Sequence, residues 1–255
     1  IDISFCFEVP SLLFIRLPSW YKIMRFGSHT EIMEEFKDEN RRAKLVKEAA
    51  MLGPFWNSIT LRQVNSEENK EFLGMSLDEI ATKRETTPVD AMIDLSLEEN
   101  LQAHFLAENM GHTDNEMIGA LMSDPHVHIG ASDGGAHILS FSTYGDTGYL
   151  FSQFVRNSHA ITLEDAVKKI TLDTASIWGM KERGCLKKGF LADITIFEED
   201  RIDRGHEYYT DDVPGDGHRY IRDAIGIDTV IIGGSIAYRK GAYTNAKTGN
   251  IVSVG

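Results

Sequence analysis

The pattern of apolar and polar positions predicts a helix-rich first part of the chain. Between residues 27 and 123 a hydroxyl residue repeatedly stands three positions before an acid, and the spacing recurs at Thr162. It is typical of helix N-termini, because the hydroxyl and the carboxylate together satisfy backbone N–H groups that lack a helical partner. The pairs are Ser28/Glu31, Ser76/Glu79, Thr113/Glu116 and Thr162/Asp165, with Thr87-Pro88 as a further cap. The predicted helices lie near residues 29–51, 77–84, 88–99, 114–122, 147–158 and 163–178.

Short apolar or alternating runs between these helices predict strands at residues 58–64, 103–106 and 127–131. Strands that alternate with helices at this spacing are typical of βα units, so we expect a parallel sheet. After Gly179 the pattern changes to short β runs at residues 190–197, 229–232 and 235–238. We therefore place a domain boundary near Arg183. The segment beyond it is small for an independent domain and is expected to complete a sheet with another segment.

Composition and charge restrict the classes of partner. The chain has 255 residues, 42% of them hydrophobic, which fits one large globular domain or a domain and a half. Its 26 Lys and Arg residues against 39 Asp and Glu residues give a formal charge of −13. Because no stripe of basic residues offsets this acidity, the surface repels phosphate backbones, and we expect no nucleic-acid partner.

Cysteine content and hydropathy predict a cytoplasmic protein with no membrane partner. Cys6 and Cys185 are far apart and too few for a disulfide framework or a thiolate metal cluster. Charged residues and prolines interrupt the apolar residues 1–20, which are too broken for a membrane span and lack the features of a signal peptide. The first residue is Ile rather than Met, so we expect that upstream sequence was removed or not recorded.

Residues 124–137 carry the strongest chemical signal. An apolar run predicted to be a strand ends just before Asp133, and Gly134 and Gly135 follow at once. In βα architecture such a carboxylate stands at the C-terminal mouth of the sheet, where active sites collect. The glycines allow a sharp turn and the close approach of a ligand, and His137 is near enough to face the same pocket. An Asp that caps a turn beside a surface His fits the spacing equally well.

His126 and His128 offer a second interpretation of the same stretch. His-x-His followed by Asp133 resembles a zinc ligand set. On a strand, however, the two histidines share one face and Asp133 takes the other unless a bulge intervenes. We therefore favour a structural role, in which the two histidines pack on the helix-covered face or near the start of the strand.

Three motifs carry a family resemblance. They are Ser132-Asp-Gly-Gly-Ala-His137, Thr162-Leu-Glu-Asp-Ala-Val-Lys-Lys-Ile-Thr171 and Arg183-Gly-Cys-Leu-Lys-Lys-Gly-Phe-Leu-Ala-Asp-Ile-Thr-Ile-Phe197, with shorter segments beginning at Leu17, Gly74 and Pro88. Together they resemble the C-terminal part of the amidohydrolase superfamily, over most of the chain from about residue 17. More narrowly, they resemble its D-aminoacylase (N-acyl-D-amino-acid deacylase) branch.

The resemblance implies a metal-dependent hydrolase of linear amide C–N bonds with an α/β fold. Residues 1–183 would be the C-terminal part of a partial TIM-type (β/α) barrel, with an insertion at about residues 27–122 that covers the pocket. Residues 184–255 would be a piece of a small β-sandwich. Asp133 would end the eighth barrel strand, bind Zn²⁺ and shuttle protons, while His137 would polarise the substrate carbonyl or orient Asp133. The substrate would be a small N-acyl amino acid or a related amide.

The same resemblance predicts an incomplete metal site. The family takes its other zinc ligands from earlier strands, and the residues before Leu17 contain no histidine. Because a catalytic zinc ordinarily takes three protein ligands, we expect a C-terminal fragment that alone retains neither zinc nor activity. Exposed sheet edges make self-association an expectation as well. A cyclic-amide hydrolase or deaminase of the same superfamily, and a non-catalytic remnant that serves as an interaction module, stay open as alternatives.

Three further expectations concern packing. Residues 5–15 match nothing in the family and are interpreted as extraneous. Asp90 and Asp94, four positions apart on one helix, are interpreted as a solvated acidic face. The tryptophans at positions 20, 56 and 178 are expected to pack in the core or between sub-domains.

Overall fold

The chain divides into two compact units that interleave along the sequence. The computed structural model describes residues 2–8, 11–108, 110, 114–130, 132, 134–136, 138, 144–215 and 217–252. The first unit takes residues 1–113, 135–142 and 209–221, and the second takes residues 114–134, 143–208 and 222–255. Both contain helices and strands, which confirms the mixed α/β class. The boundary near Arg183 stays a prediction.

Helices of the first unit begin largely where the N-cap residues predict. They are α1 (Pro18–Phe26), α2 (His29–Lys37), α3 (Glu39–Ala49), α4 (Leu77–Arg84) and α5 (Pro88–Glu98), with 3₁₀ turns at Leu12–Phe14, Ala50–Ser58 and Glu68–Phe72. Ser28 and Ser76 form complete capping boxes. The helix predicted at residues 29–51 is broken at Asp38, because this carboxylate accepts the N–H of Arg41 and starts α3.

The strands of the first unit form an antiparallel sheet. β1 (Ile3–Phe5), β2 (Thr60–Gln63) and β3 (His104–Ala107) lie in the order β1-β3-β2, and β3 runs antiparallel to both neighbours. The predicted parallel sheet is therefore wrong for these strands. Periodicity locates a strand, whereas its pairing direction depends on partners far away in the sequence, and here the partner β1 comes from the first residues of the chain.

Aromatic side chains from the start of the chain fill the core of the first unit. Phe5, Phe7 and Phe14 are fully buried. The Phe14 ring stacks on Trp20 at a centroid distance of 5.0 Å, and its centroid lies 6.1 Å from that of Trp56. Both tryptophans are buried as expected. The interpretation of residues 5–15 as extraneous is wrong, because their aromatic rings supply the centre of this core.

The acidic pair on α5 is not a solvated face. Arg42 of α3 donates from Nε to Asp90 at 2.8 Å and from Nη1 to Asp94 at 2.5 Å. All three side chains are half-buried. The four-residue spacing therefore serves a helix–helix contact, since one planar guanidinium reaches both carboxylates.

The second unit begins with short helices. They are α6 (Asn115–Ser123), α7 (Asp146–Tyr149), α8 (Leu163–Lys168) and α9 (Thr174–Ile177), with π-helical segments at Leu150–Asn157 and Lys169–Asp173. Asp114 caps α6 by accepting the N–H of Met117, and the predicted cap residue Thr113 lies outside the described residues. A small apolar core lies between these elements and is formed by Leu150, Phe151, Phe154, Ile161, Ala166 and Ile202. Trp178 lies outside this core and is 62% exposed, and its predicted packing between sub-domains stays a prediction.

The predicted β-rich end of the chain is confirmed. β4 (Ile194–Phe197), β7 (Ile227–Ile232), β8 (Ser235–Arg239) and β9 (Ala242–Tyr243) form an antiparallel sheet in the order β4-β7-β8-β9. β5 (Asp203–Val213) and β6 (Gly217–Ile225) pair in a separate sheet, and their residues are divided between the two units. No helix in the described part of the chain is both long and apolar enough to cross a bilayer.

Candidate functional site

The two residues expected to carry the chemistry, Asp133 and His137, lie outside the described residues. Their roles therefore stay predictions. The structure does describe Ser132, Gly134 and Gly135 and the segment that leads to them. These residues are the described surroundings of the predicted site.

The backbone next to Asp133 has the turn geometry that the glycines predict. Gly135 has a φ of +93°, a left-handed conformation that glycine adopts without strain. The N–H of Gly134 donates to Oγ of Ser132 at 3.2 Å. A Cβ at Gly134 would lie 3.0 Å from that oxygen, so a larger residue would displace the Ser132 side chain.

The segment before this turn is not the predicted strand. Residues 127–130 have no regular secondary structure, and residue 131 lies outside the described part of the chain. A turn follows α6 instead, in which the N–H of Val127 donates to the carbonyl of Asp124 at 3.2 Å. The Asp124 carboxylate accepts the backbone N–H of His126 at 2.8 Å. This hydrogen bond and the contact with the His126 ring lower the pKa of Asp124.

The expected packing of His126 and His128 is wrong, since both are exposed. The His126 side chain is 92% exposed, and its Nδ1 lies 3.1 Å from the Asp124 carboxylate. The prediction assumed a strand covered by a helix, whereas the structure places these residues in a turn and an irregular segment.

Two side chains tie this turn to the rest of the second unit. Lys169 is 7% exposed, and its Nζ donates to the carbonyls of Asp124 and Val127, each at 2.7 Å. Ser123 donates from Oγ to the carbonyl of Ala160. The same region borders a cleft of about 350 Å³ whose lining includes Pro125, His159, Thr162, Asp165, Lys168 and Asp173.

The Ala192-Asp193 pair of the third family motif has a structural function. Asp193 accepts the N–H of Gly233 at 2.8 Å through one oxygen and pairs with Arg183 through the other. The N–H of Gly234 donates to the carbonyl of Ala192 at 3.0 Å. The motif thus joins the loop before β4 to the turn between β7 and β8.

The first unit contains a buried polar cluster that the sequence did not indicate. His104 on β3 is 4% exposed, and its Nδ1 lies 2.5 Å from the hydroxyl of Tyr220. Burial, with a contribution from nearby His218, lowers the pKa of His104 to about 4. The imidazole is therefore neutral at pH 7. The ring of Tyr209 lies 4.3 Å from that of His104, and burial raises the pKa of Tyr209.

The described residues alone do not fit a metal centre. Within them, no group of three or more His, Cys, Asp and Glu side chains is arranged to hold an ion. His104 forms a hydrogen bond with the hydroxyl of Tyr220, and His126 lies beside the single carboxylate of Asp124. A zinc site therefore stays a prediction that depends on Asp133.

Comparison with known proteins supplies the family. A model of the amidohydrolase family matches residues 59–238, which is more than half of the chain and includes Asp133. The chain belongs to the amidohydrolase family. This confirms the resemblance at the level of the superfamily.

Among curated proteins, the chain is similar to an uncharacterized protein of Mycobacterium tuberculosis. The two are 27% identical over 187 residues, which cover 69% of this chain and 30% of the relative. A protein of Mycobacterium bovis matches with the same identity and coverage. The chain thus spans 30% of the length of these relatives.

Among solved structures, the chain is similar to D-aminoacylase. That match has 21% identity and a TM-score of 0.44 and covers 78% of this chain and 38% of the other. The N-acyl-D-glutamate deacylase of Bordetella bronchiseptica, solved with zinc and a phosphonate inhibitor, matches with 20% identity and a TM-score of 0.40. It covers 80% of this chain and 44% of the other.

Proposed function

We propose that this amidohydrolase cleaves linear amide C–N bonds in small N-acyl amino acids, as its resemblance to D-aminoacylases implies. The observation that carries the proposal is the family match over residues 59–238, which contains the motif at residues 132–137. The left-handed conformation of Gly135, two positions after that motif's carboxylate in the sequence, supports it. Because the chain spans 30% of its curated relatives, the activity of the whole protein is part of the proposal.

Asp133 is proposed as the general base and acid. Amide hydrolysis needs a water deprotonated for attack and an amine protonated for departure, and one carboxylate can accept the first proton and deliver it to the leaving nitrogen. His137 is proposed to orient Asp133 or to polarise the substrate carbonyl. We further propose Asp133 as a ligand of Zn²⁺, an ion that lowers the pKa of bound water to about 7 in hydrolases.

The proposed architecture follows from the same family. Residues 1–183 are proposed as the C-terminal part of a TIM-type barrel, with residues 27–122 including an insertion over the pocket. Residues 184–255 are proposed as a piece of a β-sandwich. The antiparallel sheet β4-β7-β8-β9 supports the second assignment.

The experiment is a substrate panel on protein expressed from the complete coding sequence and purified with Zn²⁺. We measure the free amino acid released from N-acetyl-D-amino acids and their L enantiomers, the ring-opened N-carbamoyl acid formed from cyclic amides such as hydantoins, and the ammonia released from amino-purines. We expect turnover of linear N-acyl substrates together with about one bound zinc or more per chain. Turnover confined to cyclic amides or to amino-purines would replace the proposal with the cyclic-amide hydrolase or deaminase alternative. Zinc-free protein without turnover would establish a non-catalytic protein.

A further inference from the structure

Lys169 is a buried cation with an unusual set of partners. Its side chain lies in the second unit with 7% of the residue exposed. Its hydrogen bonds to described residues go to two backbone carbonyls, of Asp124 and Val127, at 2.7 Å each. Burying an ammonium group is costly unless hydrogen bonds compensate for lost water. Charge-assisted bonds of this length supply that compensation.

The two acceptors belong to one turn, so the ammonium group fixes the turn as a unit. Asp124 ends α6, and Val127 closes the turn through its own N–H to the Asp124 carbonyl. Further along, Ile129 packs against the apolar core of the second unit. The segment that precedes the Asp133 motif is therefore held at two points. One is the turn at residues 124–127, and the other is the contact of Ile129 with the apolar core.

The helix that carries Lys169 departs from α geometry at this residue. α8 ends at Lys168, and the π-helical segment Lys169–Asp173 begins there. Thr174 donates from Oγ1 to the Lys169 carbonyl at 2.8 Å, which satisfies an acceptor of the widened turn. π-Helical turns of this kind occur frequently at functional sites.

From these observations we propose that Lys169 is a positioning residue for the proposed reaction, because it holds the turn at residues 124–127 in the segment that precedes the motif at residues 132–137. The proposal rests on the proposed function of Asp133. We assign no substrate contact to Lys169, because its amino group is buried and donates hydrogen bonds to the two carbonyls.

Lys168 is a matched control for Lys169. It is the adjacent lysine on the same helix, its side chain is 56% exposed, and its Nζ pairs with Asp173 at 2.8 Å. Lys168→Met therefore removes one ammonium group from the same region and leaves the turn at residues 124–127 untouched. Lys169→Met keeps the apolar stem and removes the two hydrogen bonds, and Lys169→Arg keeps a cation with donors.

The first test is residue-resolved amide hydrogen exchange, which requires no activity. In Lys169→Met we expect the N–H groups of His126 and Val127 to exchange about tenfold faster or more, because the turn opens locally. Protection in α8 should be retained. Lys168→Met should match the parent, and Lys169→Arg should recover part of the protection. Unchanged exchange in Lys169→Met would overturn the proposal, as would a loss of protection throughout the second unit, which would indicate a general structural role.

The second test separates this inference from the proposed function. In protein that hydrolyses an N-acyl amino acid, Lys169→Met should lower kcat about tenfold or more with little change in KM, since binding groups are retained while the reacting carboxylate is misplaced. Lys169→Arg should restore part of kcat. Full activity in Lys169→Met together with an inactive Asp133→Asn would overturn the positioning inference alone. Full activity in Asp133→Asn would overturn the proposed function. The hydrogen-exchange result would then still show whether Lys169 holds the turn at residues 124–127.

Discussion

At the scale of single residues, the buried His104 makes the stability of the protein depend on pH. Burial and nearby His218 lower the pKa of His104 from 6.5 to about 4. Between these values the unfolded chain binds a proton that the folded chain does not, so the free energy of unfolding falls as pH falls through this window. The full loss is on the order of 3 kcal/mol.

Urea unfolding between pH 7 and about 4.5 measures this effect, since carboxylates titrate mostly below that range. We expect His104→Gln to flatten the dependence on pH, because the titrating group is gone. His126→Gln is the control, since its parent side chain is 92% exposed. An equal slope in His104→Gln and the parent protein would contradict the assignment.

Glu99 is a second residue whose environment predicts a measurable effect. It is 4% exposed and accepts hydrogen bonds from the backbone of Asn65 and Ser66 and from the side chains of Ser66 and Asn69. Burial raises its pKa, but these bonds outweigh burial and lower the pKa overall. Its stabilising effect is therefore complete above pH 4.5 and is lost in more acidic solution.

Glu99→Gln should reduce the free energy of unfolding at pH 7 by about 2 kcal/mol, because an amide replaces an acceptor oxygen with a donor. Glu71→Gln is the control: this side chain is 65% exposed and lies 3.9 Å from Lys83, so we expect about 0.5 kcal/mol or less. The midpoints of urea unfolding give both values. Equal midpoints for the two variants would show that the Glu99 bonds add no net stability.

Some buried polar residues have no recognisable signal in the sequence. Asp133 is predicted as a site residue because a carboxylate before two glycines is a recognisable pattern. Lys169 has no comparable pattern: it follows another lysine, and its burial depends on the path of residues 124–127. His104 likewise lies in an ordinary apolar strand, and its partner Tyr220 comes from a distant part of the chain.

At the scale of elements, the first residues of the chain are expected to stabilise the first unit. Phe7 is fully buried and makes an edge contact with Phe36 at a centroid distance of 5.0 Å. Phe7→Ala should therefore cost about 3–5 kcal/mol through lost burial and the cavity it leaves. Ile15→Ala is the control, since Ile15 is 58% exposed. A thermal midpoint for Phe7→Ala equal to that of Ile15→Ala would contradict the description of this core.

Elements defined by local chemistry were predicted well, and those defined by distant partners were not. Ser28 and Ser76 begin helices as expected, because a capping box is complete within four residues. The predicted parallel pairing of β2 and β3 is wrong, because the direction of pairing depends on strands that lie far apart along the chain. The run at residues 127–131 was apolar enough for a strand, yet residues 127–130 lie in an irregular segment held by side chains.

At the scale of the whole molecule, the chain belongs to the amidohydrolase family and divides into two compact units. The family match at residues 59–238 includes parts of both units, so the family's sequence pattern is distributed over each of them. Self-association, the absence of a nucleic-acid partner and a cytoplasmic location stay predictions from the sequence. The partial TIM-type barrel stays a proposal, since periodicity locates strands and does not determine how they pair across the chain.

The most direct test of the account is the turnover of N-acyl amino acids by Asp133→Asn, compared with the parent protein and with Asp200→Asn, all expressed from the complete coding sequence. Asp200 is an exposed carboxylate outside the motif and serves as the matched control. We expect Asp133→Asn to lose turnover by about 10³-fold or more with an unchanged thermal midpoint, because an amide neither accepts nor delivers the proton. We expect Asp200→Asn to keep the parental rate. Parental turnover in Asp133→Asn would contradict the account.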